Sequence, residues 1–380
     1  MSPAPDTPLR FAPLPYGGSV VVMLLVVAAA VAWAWADTRA PSNDAPRTMV
    51  KAEKTLVRDV LTGRLTMSDG TPEPPAEGPG SPGKPLRLRF VPSSDAAQGE
   101  AAIKPLIAFL KERTGYAIEG AILRSYGLVV QAIIEGQCDV AFLTAASYAR
   151  AHNLANKNGK ESDDIEPILA AVRQGNPKYP GSDLAYRAAI LVRADSDLKD
   201  LADLQGRTVA MGGPTSGASS ILPSALFNEM GIAPRIQRYE GYPVIIQAVL
   251  QGATDAGCIF WSPPGPDGKP RDARILLDST DPKVWEKTRI LGYTGWIPNE
   301  PVVVRAAIPD EVKDVLRRAI ALYVITKSST EAGRKELQAL GSVRGYIPAT
   351  GEDYKPLHEA IERAFLNDPE GRRDFMSSRR

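Results

Sequence analysis

The 380 residues carry 45 Lys and Arg against 44 Asp and Glu, a net charge of +1, with 44% hydrophobic and 23% charged residues. A chain of this size and balance can bury one or two substantial cores and has no global field to draw it toward nucleic acid or anionic lipid. Two His (His152, His358) and two Cys (Cys138, Cys258), none at metal-ligand spacing, argue against a zinc site, an iron–sulfur cluster or a cysteine framework. No cofactor is expected, and a single Cys138–Cys258 bond stays open.

Residues 1–19 hold one Arg and one Asp, and Val20 to Ala36 then runs 17 residues without a charge or a proline. That length lies between a secretory core and a membrane span. Residues 1–36 read as either a signal peptide cleaved after Ala34-Trp35-Ala36, leaving Asp37 first, or an uncleaved anchor in the inner membrane; a buried core helix is the remaining alternative, against which stands a run apolar on every face. No cysteine follows the run, so a lipoprotein anchor is excluded, and either reading places the rest outside the cytoplasm, in a periplasmic setting. Residues 49–65 have the pattern of a short amphipathic helix. Ser68 to Pro85 packs six prolines and four glycines into 18 residues, an extended spacer in composition. We assign 37–85 to a linker and expect the folded part to start near Leu86.

From there the chain repeats itself. Tyr126 opens YGLVVQAIIEGQCDVAFL and Tyr242 opens YPVIIQAVLQGATDAGCI. Tyr126, Gln131, Ala132, Gly136 and Asp139 recur as Tyr242, Gln247, Ala248, Gly252 and Asp255, each 116 residues later. Upstream, the helical stretch Pro105 to Gly115 parallels Pro223 to Gly231. A long fixed period marks a duplicated unit. In each copy a β-rich run (Leu86 to Val91; Arg207 to Met211) leads through a small-residue loop into an amphipathic helix. A second helix then ends at a glycine, and a strand follows (Asp139 to Leu143; Asp255 to Trp261). Strands alternating with helices imply βαβ units, hence two α/β lobes, each a mostly parallel sheet flanked by helices.

Tyr186 to Arg193 reads as a strand crossing between the lobes and Arg289 to Tyr293 as the return. The expected boundaries are 86–193 for the first part of lobe 1, 194–288 for lobe 2, and 289–380 for the return to lobe 1 with C-terminal helices. Ligands of open α/β sheets bind beyond the carboxyl ends of the strands, so the site is expected in the cleft between lobes.

Within it, Met211 to Ser220 (MGGPTSGASS) offers glycines, hydroxyls and the amides of a helix start. Together these form an anion cradle without a cationic side chain, although serine-rich helix caps have the same look. There is no GxxxxGK[ST] and no GxGxxG, against a nucleotide site. Tyr126 and Tyr242 begin equivalent helices and would reach the cleft from opposite lobes; Tyr148 is a weaker candidate of this kind. Asp139 and Asp255 are expected to be structural. No catalytic set emerges, because His152 and His358 have no GxSxG nearby.

The segments LRLRFVP, KPLIAFLKERTGY, SYGLVVQAIIEGQCDVAFL, YRAAILVRADSDLKDLADLQGRTVA, GPTSGASSILPSALFNEMGI, QAVLQGATDAG and IPNEPVVVRAAIPDEV, in this order, resemble the phosphate, phosphite and phosphonate substrate-binding proteins of ABC transporters. The resemblance covers about residues 86–330. It implies a bilobed periplasmic-binding-protein fold of type 2, no enzymatic activity, a small oxyanion ligand, an ABC transporter permease as partner, and no nucleic acid. Alternatives of the same fold are a membrane-tethered sensing or accessory module and a synthase, which would need a reactive His or Cys in the cleft.

Carried over by position, the resemblance implies ligand contacts from Tyr126, Tyr186, Tyr242 and Glu300, and an anion loop at Ser216, Gly217, Ala218 and Ser219. The family's loop is Ser-Thr-Ser-Gly, so only the first hydroxyl is kept in place; Tyr242 stands for a His and Glu300 for an Asp. Glu300 has no cationic neighbour in sequence.

Overall fold

A computed structural model describes residues 74–91, 96–155, 164–176, 178, 182–339, 343–365 and 375. The apolar run 20–36 and the amphipathic stretch 49–65 lie outside them. Among the described residues no helix is long and apolar enough to cross a membrane.

The first lobe opens with β1 (Leu86–Phe90), whose Leu86, Leu88 and Phe90 point into the core while Arg87 and Arg89 point away. Helix α1 (Ala96–Thr114), β2 (Ile118–Ile122), α2 (Tyr126–Ile134), β3 (Val140–Phe142), α3 (Ala145–Ala155) and β4 (Ile165–Val172) follow. The second lobe holds β5 (Ala185–Arg193), β6 (Thr208–Met211), α4 (Leu222–Met230), β7 (Arg235–Arg238), α5 (Tyr242–Leu250), β8 (Ala256–Ser262), β9 (Arg271–Asp272), α6 (Val284–Lys287) and β10 (Thr288–Pro298). The chain then returns through β11 (Pro301–Arg305), α7 (Asp310–Ser328), α8 (Glu331–Ala339), β12 (Gly345–Pro348) and α9 (Lys355–Ala364).

The sheet orders are β12-β4-β11-β3-β1-β2 and β10-β5-β8-β6-β7, with β9 beside β8. The fold is the expected two-lobe α/β arrangement, with two corrections. The sheets are mixed, not mostly parallel: β1, β2 and β3 are parallel in one and β6, β7 and β8 in the other, while every remaining pairing is antiparallel. The strands expected as crossings, β5 and β10, lie wholly in the second sheet, paired with each other over Ala185–Arg193 and Thr288–Pro298. Lobe 2 thus extends from about 185 to 298, and the crossings are the short segments just outside it. Their many β-branched and aliphatic residues fit a buried strand, which a crossing strand and a sheet strand share.

The duplicated units superpose in chemistry as well as in order. Gly136 (φ +73°) and Gly252 (φ +70°) end α2 and α5 in the left-handed conformation that a glycine adopts without strain. Asp139 accepts the backbone N–H of Arg87, its Nε and its Nη2, each at 2.9 Å. Asp255 accepts the Thr208 N–H at 2.8 Å and faces Arg207 at 3.5 Å. In both lobes an aspartate before the third strand clamps the first strand, the structural role expected of them.

The spacer's end is ordered, contrary to expectation. Gly80 N–H bonds the Lys84 carbonyl at 2.9 Å, Ala117 N–H bonds the Gly80 carbonyl at 2.8 Å, and Ser81 is buried. The prolines and glycines of 78–85 build a tight turn docked beside Tyr116, so folded structure begins before Leu86.

The lobes are not separate bodies. Ala146 and Ala149 of lobe 1, Ala218, Ile221, Leu222 and Ala225 of lobe 2, and Leu357, Ala360 and Ile361 of α9 share one apolar cluster. Asn228 on α4 donates to the carbonyls of Arg363 and Ala364 at 2.8 and 3.2 Å. Asn299 stitches the two crossings, donating from its side chain to Ala171 and Asp183 carbonyls at 3.0 and 2.8 Å, and Tyr354 donates to the Asn299 carbonyl at 3.0 Å.

Where α9 meets α3, Tyr148 meets Tyr354 and His358 edge to face, and the His152 and His358 imidazoles lie tilted 4.7 Å apart. Burial first, and His152 second, push the His358 pKa down to about 4. The unfolded chain titrates near 6.5, so protons bind it preferentially between these values. The stability is present above about pH 6.5 and is lost as pH falls toward 4. Urea unfolding at pH 4.5 and pH 7 is expected to show a loss in the acid of about 2 kcal/mol that His358→Gln removes. An equal loss in the variant would contradict it.

Candidate functional site

Four helix starts converge between the lobes. Ser125 caps α2, its hydroxyl accepting from Leu128 N–H, so Tyr126 is the first helical residue at the cleft. Thr144 precedes α3 and accepts the Ser147 N–H at 3.1 Å while donating to the Ser147 hydroxyl at 2.9 Å. Ser216 begins a one-turn π-helix, Gly217–Ile221, that runs into α4. Tyr242 opens α5 behind Gly241. Unpaired amides at such ends carry partial positive charge and favour an anion.

The loop Met211–Ser220 is drawn into a compact cradle. The Ser216 hydroxyl accepts from the Ser219 N–H at 3.2 Å and from the Ser219 hydroxyl at 2.6 Å. Burial pushes the Tyr242 phenol pKa up, and the nearby Ser216 and Ser219 hydroxyls counter that push. A Cβ at Gly212 would lie 2.1 Å from Ser219 Oγ, so only glycine lets this serine in. From behind, Arg238 donates to the Gly212 carbonyl at 2.8 Å and the Ser220 hydroxyl at 3.1 Å. The Gly217 and Ala218 amides find no acceptor among the described residues. The second hydroxyl of the cradle thus comes from Ser219, a different place in the loop from the family's. Ala218 points its methyl into the apolar cluster and can face the cleft only with its backbone.

Tyr186, on β5, is the link across. A Cβ at Gly217 would sit 3.7 Å from the Tyr186 hydroxyl and 3.7 Å from Ala146 Cβ, so the two lobes' helix starts meet there. Burial, then Glu300, then Tyr242 hold the Tyr186 phenol well above its ordinary pKa, as burial and Glu300 raise that of Tyr126. These phenols are therefore hydrogen-bond donors at neutral pH.

Glu300 is not unpartnered. Arg173, just past β4, places Nη2 2.9 Å and Nε 3.3 Å from Glu300 Oε2. Burial works against the Arg173 charge, but Glu300 outweighs it and the guanidinium pKa is raised. Sequence could not pair two residues 127 positions apart. Arg238, Thr144 and Ser147 were missed for the same reason; the only local sign was a hydroxyl after a short strand. Of the eight singled-out residues, Tyr126 and Glu300 line one pocket, Ser216 and Ser219 bond each other, Gly217 lies beside the Tyr186 hydroxyl, and the Ala218 side chain is in the apolar cluster; Tyr148 is buried in the aromatic cluster.

The nucleophile-bearing alternatives are spent on packing. Cys138 and Cys258 are free, buried thiols, and burial pushes Cys138 up to about 12 and Cys258 higher still. They form no disulfide, because each belongs to a different apolar cluster. Among the described residues no group of His, Cys, Asp and Glu could hold a metal ion.

Residues 88–354 match the model of the periplasmic substrate-binding proteins of phosphonate ABC transporters. A phosphate-import protein, PhnD, of Mycolicibacterium smegmatis is 24% identical over 299 residues, 73% of this chain and 85% of that protein. Among solved structures, PhnD1 of Prochlorococcus marinus in complex with methylphosphonate superposes with a TM-score of 0.53 at 13% identity, covering 74% of this chain and 98% of that one. A binding-protein component of an ABC phosphonate transporter from Pseudomonas aeruginosa gives 0.52 at 18%, covering 75% and 90%. With the family model spanning well over half of it, the chain belongs to the periplasmic substrate-binding proteins of phosphonate ABC transporters, which are transport proteins and not enzymes.

Proposed function

We propose that this chain captures a small phosphorus oxyanion, a phosphonate or phosphate-like group, in the interlobe cleft and presents it to the permease of an ABC importer. The observation that carries the reading is the cradle of Ser216, Ser219 and Tyr242 at a helix start. Tyr186 of the same lobe stands beside it, and Tyr126 and the Arg173–Glu300 pair come from lobe 1 and the crossings. The Gly217 and Ala218 amides and the phenols supply donors to the anion, each bond to a charged acceptor worth about 1.5–3 kcal/mol. Glu300 accepts from a protonated phosphoryl oxygen, and Arg173 offsets its charge, so a singly protonated oxyanion fits better than a bare dianion.

The test is a ligand panel. Phosphate, phosphite or methylphosphonate at 100 times its dissociation constant is expected to stabilise the protein by about 2.7 kcal/mol, read as a raised melting temperature. Arginine serves as the control. No shift with any phosphorus or sulfur oxyanion would overturn the reading. The family is extracytoplasmic; a tether through residues 1–36 belongs to the same proposal, and the mature N-terminus decides it.

A further inference from the structure

Lobe 1 holds a cavity of about 320 Å³. Tyr126, Thr144, Arg173 and Glu300 form one polar part of its lining, and Tyr323 and Tyr346 add two phenols. Most of the rest is apolar: Ile103 and Leu106 of α1, Ile320 and Val324 of α7, and Phe90 and Phe142 of the sheet line it. Leu106, Ile320 and Val324 are at most 3% exposed, so these walls belong to the protein's interior. Phe90 and Phe142 stack at 4.3 Å and make a flat apolar floor.

Protein interiors are packed nearly as tightly as organic crystals, and an apolar void stays dry and forgoes contacts on its open side. A guest that fills this one recovers those contacts. Because Tyr126 and Glu300 belong both to this lining and to the oxyanion site proposed above, a molecule anchored there by its anion has the cavity within reach of its other end. An ammonium at that end would stop at Glu300; beyond it no other carboxylate lines the cavity, and phenols such as Tyr323 and Tyr346 would recover only part of the cost of desolvation.

We propose that the ligand of this protein is an oxyanion bearing an apolar substituent, an alkyl or aryl group, which occupies the lobe 1 cavity while the anion sits in the cleft. This deepens the oxyanion reading and rests on it. The bare anion then binds through the cradle alone, and selectivity comes from the cavity.

Calorimetric titration of the full chain with methylphosphonate, n-hexylphosphonate and hexan-1-ol separates the two claims. A buried methylene is worth about fourfold in affinity, so n-hexylphosphonate is expected to bind at least about 30-fold tighter than methylphosphonate once chain ordering is discounted. Its heat-capacity change should also be more negative. If methylphosphonate binds as well as or better than n-hexylphosphonate, the cavity proposal is overturned and the oxyanion reading stands. If neither phosphonate binds, the oxyanion reading fails and takes the cavity proposal with it; hexan-1-ol binding as tightly as n-hexylphosphonate has the same consequence. Val324→Phe and Ile103→Phe, which add bulk to the lining from two different helices, should each erase the hexyl advantage and leave methylphosphonate affinity unchanged. A thermal melt identifies which variant is folded. A folded variant that retains the advantage overturns the proposal.

Discussion

Asp139→Ala is expected to destabilise the protein by about 3 kcal/mol, measured as a lower urea midpoint at pH 7. Asp139 is 7% exposed and its carboxylate accepts three bonds from Arg87, with Arg305 a further 3.7 Å away. Truncation leaves a guanidinium and a strand amide without their acceptor, and that loss is larger than the net value of the pair. The equivalent change in lobe 2, Asp255→Ala, should cost only about 1 kcal/mol, because that side chain is 34% exposed and water replaces the lost partner. Equal effects in both lobes would contradict the burial argument. Asp139→Asn should recover part of the loss, since an amide oxygen still accepts from the strand.

Arg173→Gln is expected to weaken phosphonate binding by about 10- to 100-fold, and more so above neutral pH than below it. Removing the guanidinium leaves Glu300 facing the incoming anion uncompensated. At an effective dielectric of about 20, one unit charge at about 5 Å is worth roughly 3 kcal/mol, less after solvent screening of a pair about one-third exposed. Glu300→Gln should act in the opposite direction. An amide repels no anion and can donate to it, so affinity for the fully ionised ligand should rise about tenfold and the fall with rising pH should flatten. Titration calorimetry of both variants on either side of neutrality checks the pair. If the two substitutions changed affinity in the same direction, the salt bridge would not be tuning the charge of the site.

The duplication was legible because it is written in local chemistry. A helix-ending glycine, a clamp aspartate and a helix-opening tyrosine repeat at one spacing, and each is needed for a reason that acts within a few residues. Strand pairing is not local. Nothing in Ala185–Arg193 says that its neighbours will be antiparallel β8 and β10, and so a strand inside the second sheet reads as a bridge between lobes. The site divides in the same way. Ser216, Ser219 and Tyr242 stand in segments whose composition already points to a cradle, and Tyr126 and Tyr186 follow from the family pattern. Arg173 and Arg238 do not, because their importance lies in what they touch across 127 and 18 or more positions of chain. The docked turn at 78–85 was hidden by a composition that spacers and tight turns have in common.

Helix α9, rooted beside Tyr354 in one half and seated on α4 of the other, makes the molecule a clasp that is already fastened. To swing wide, the halves would have to tear leucine and alanine faces from one another and hand them to water. The cheaper movement keeps α9 as a shared axle, so that the halves twist about it and uncover only the far rim of the cleft. Loosening the seat of α9 on α4, as by Asn228→Ala, is then expected to quicken a guest's exchange without touching a single group that greets the anion.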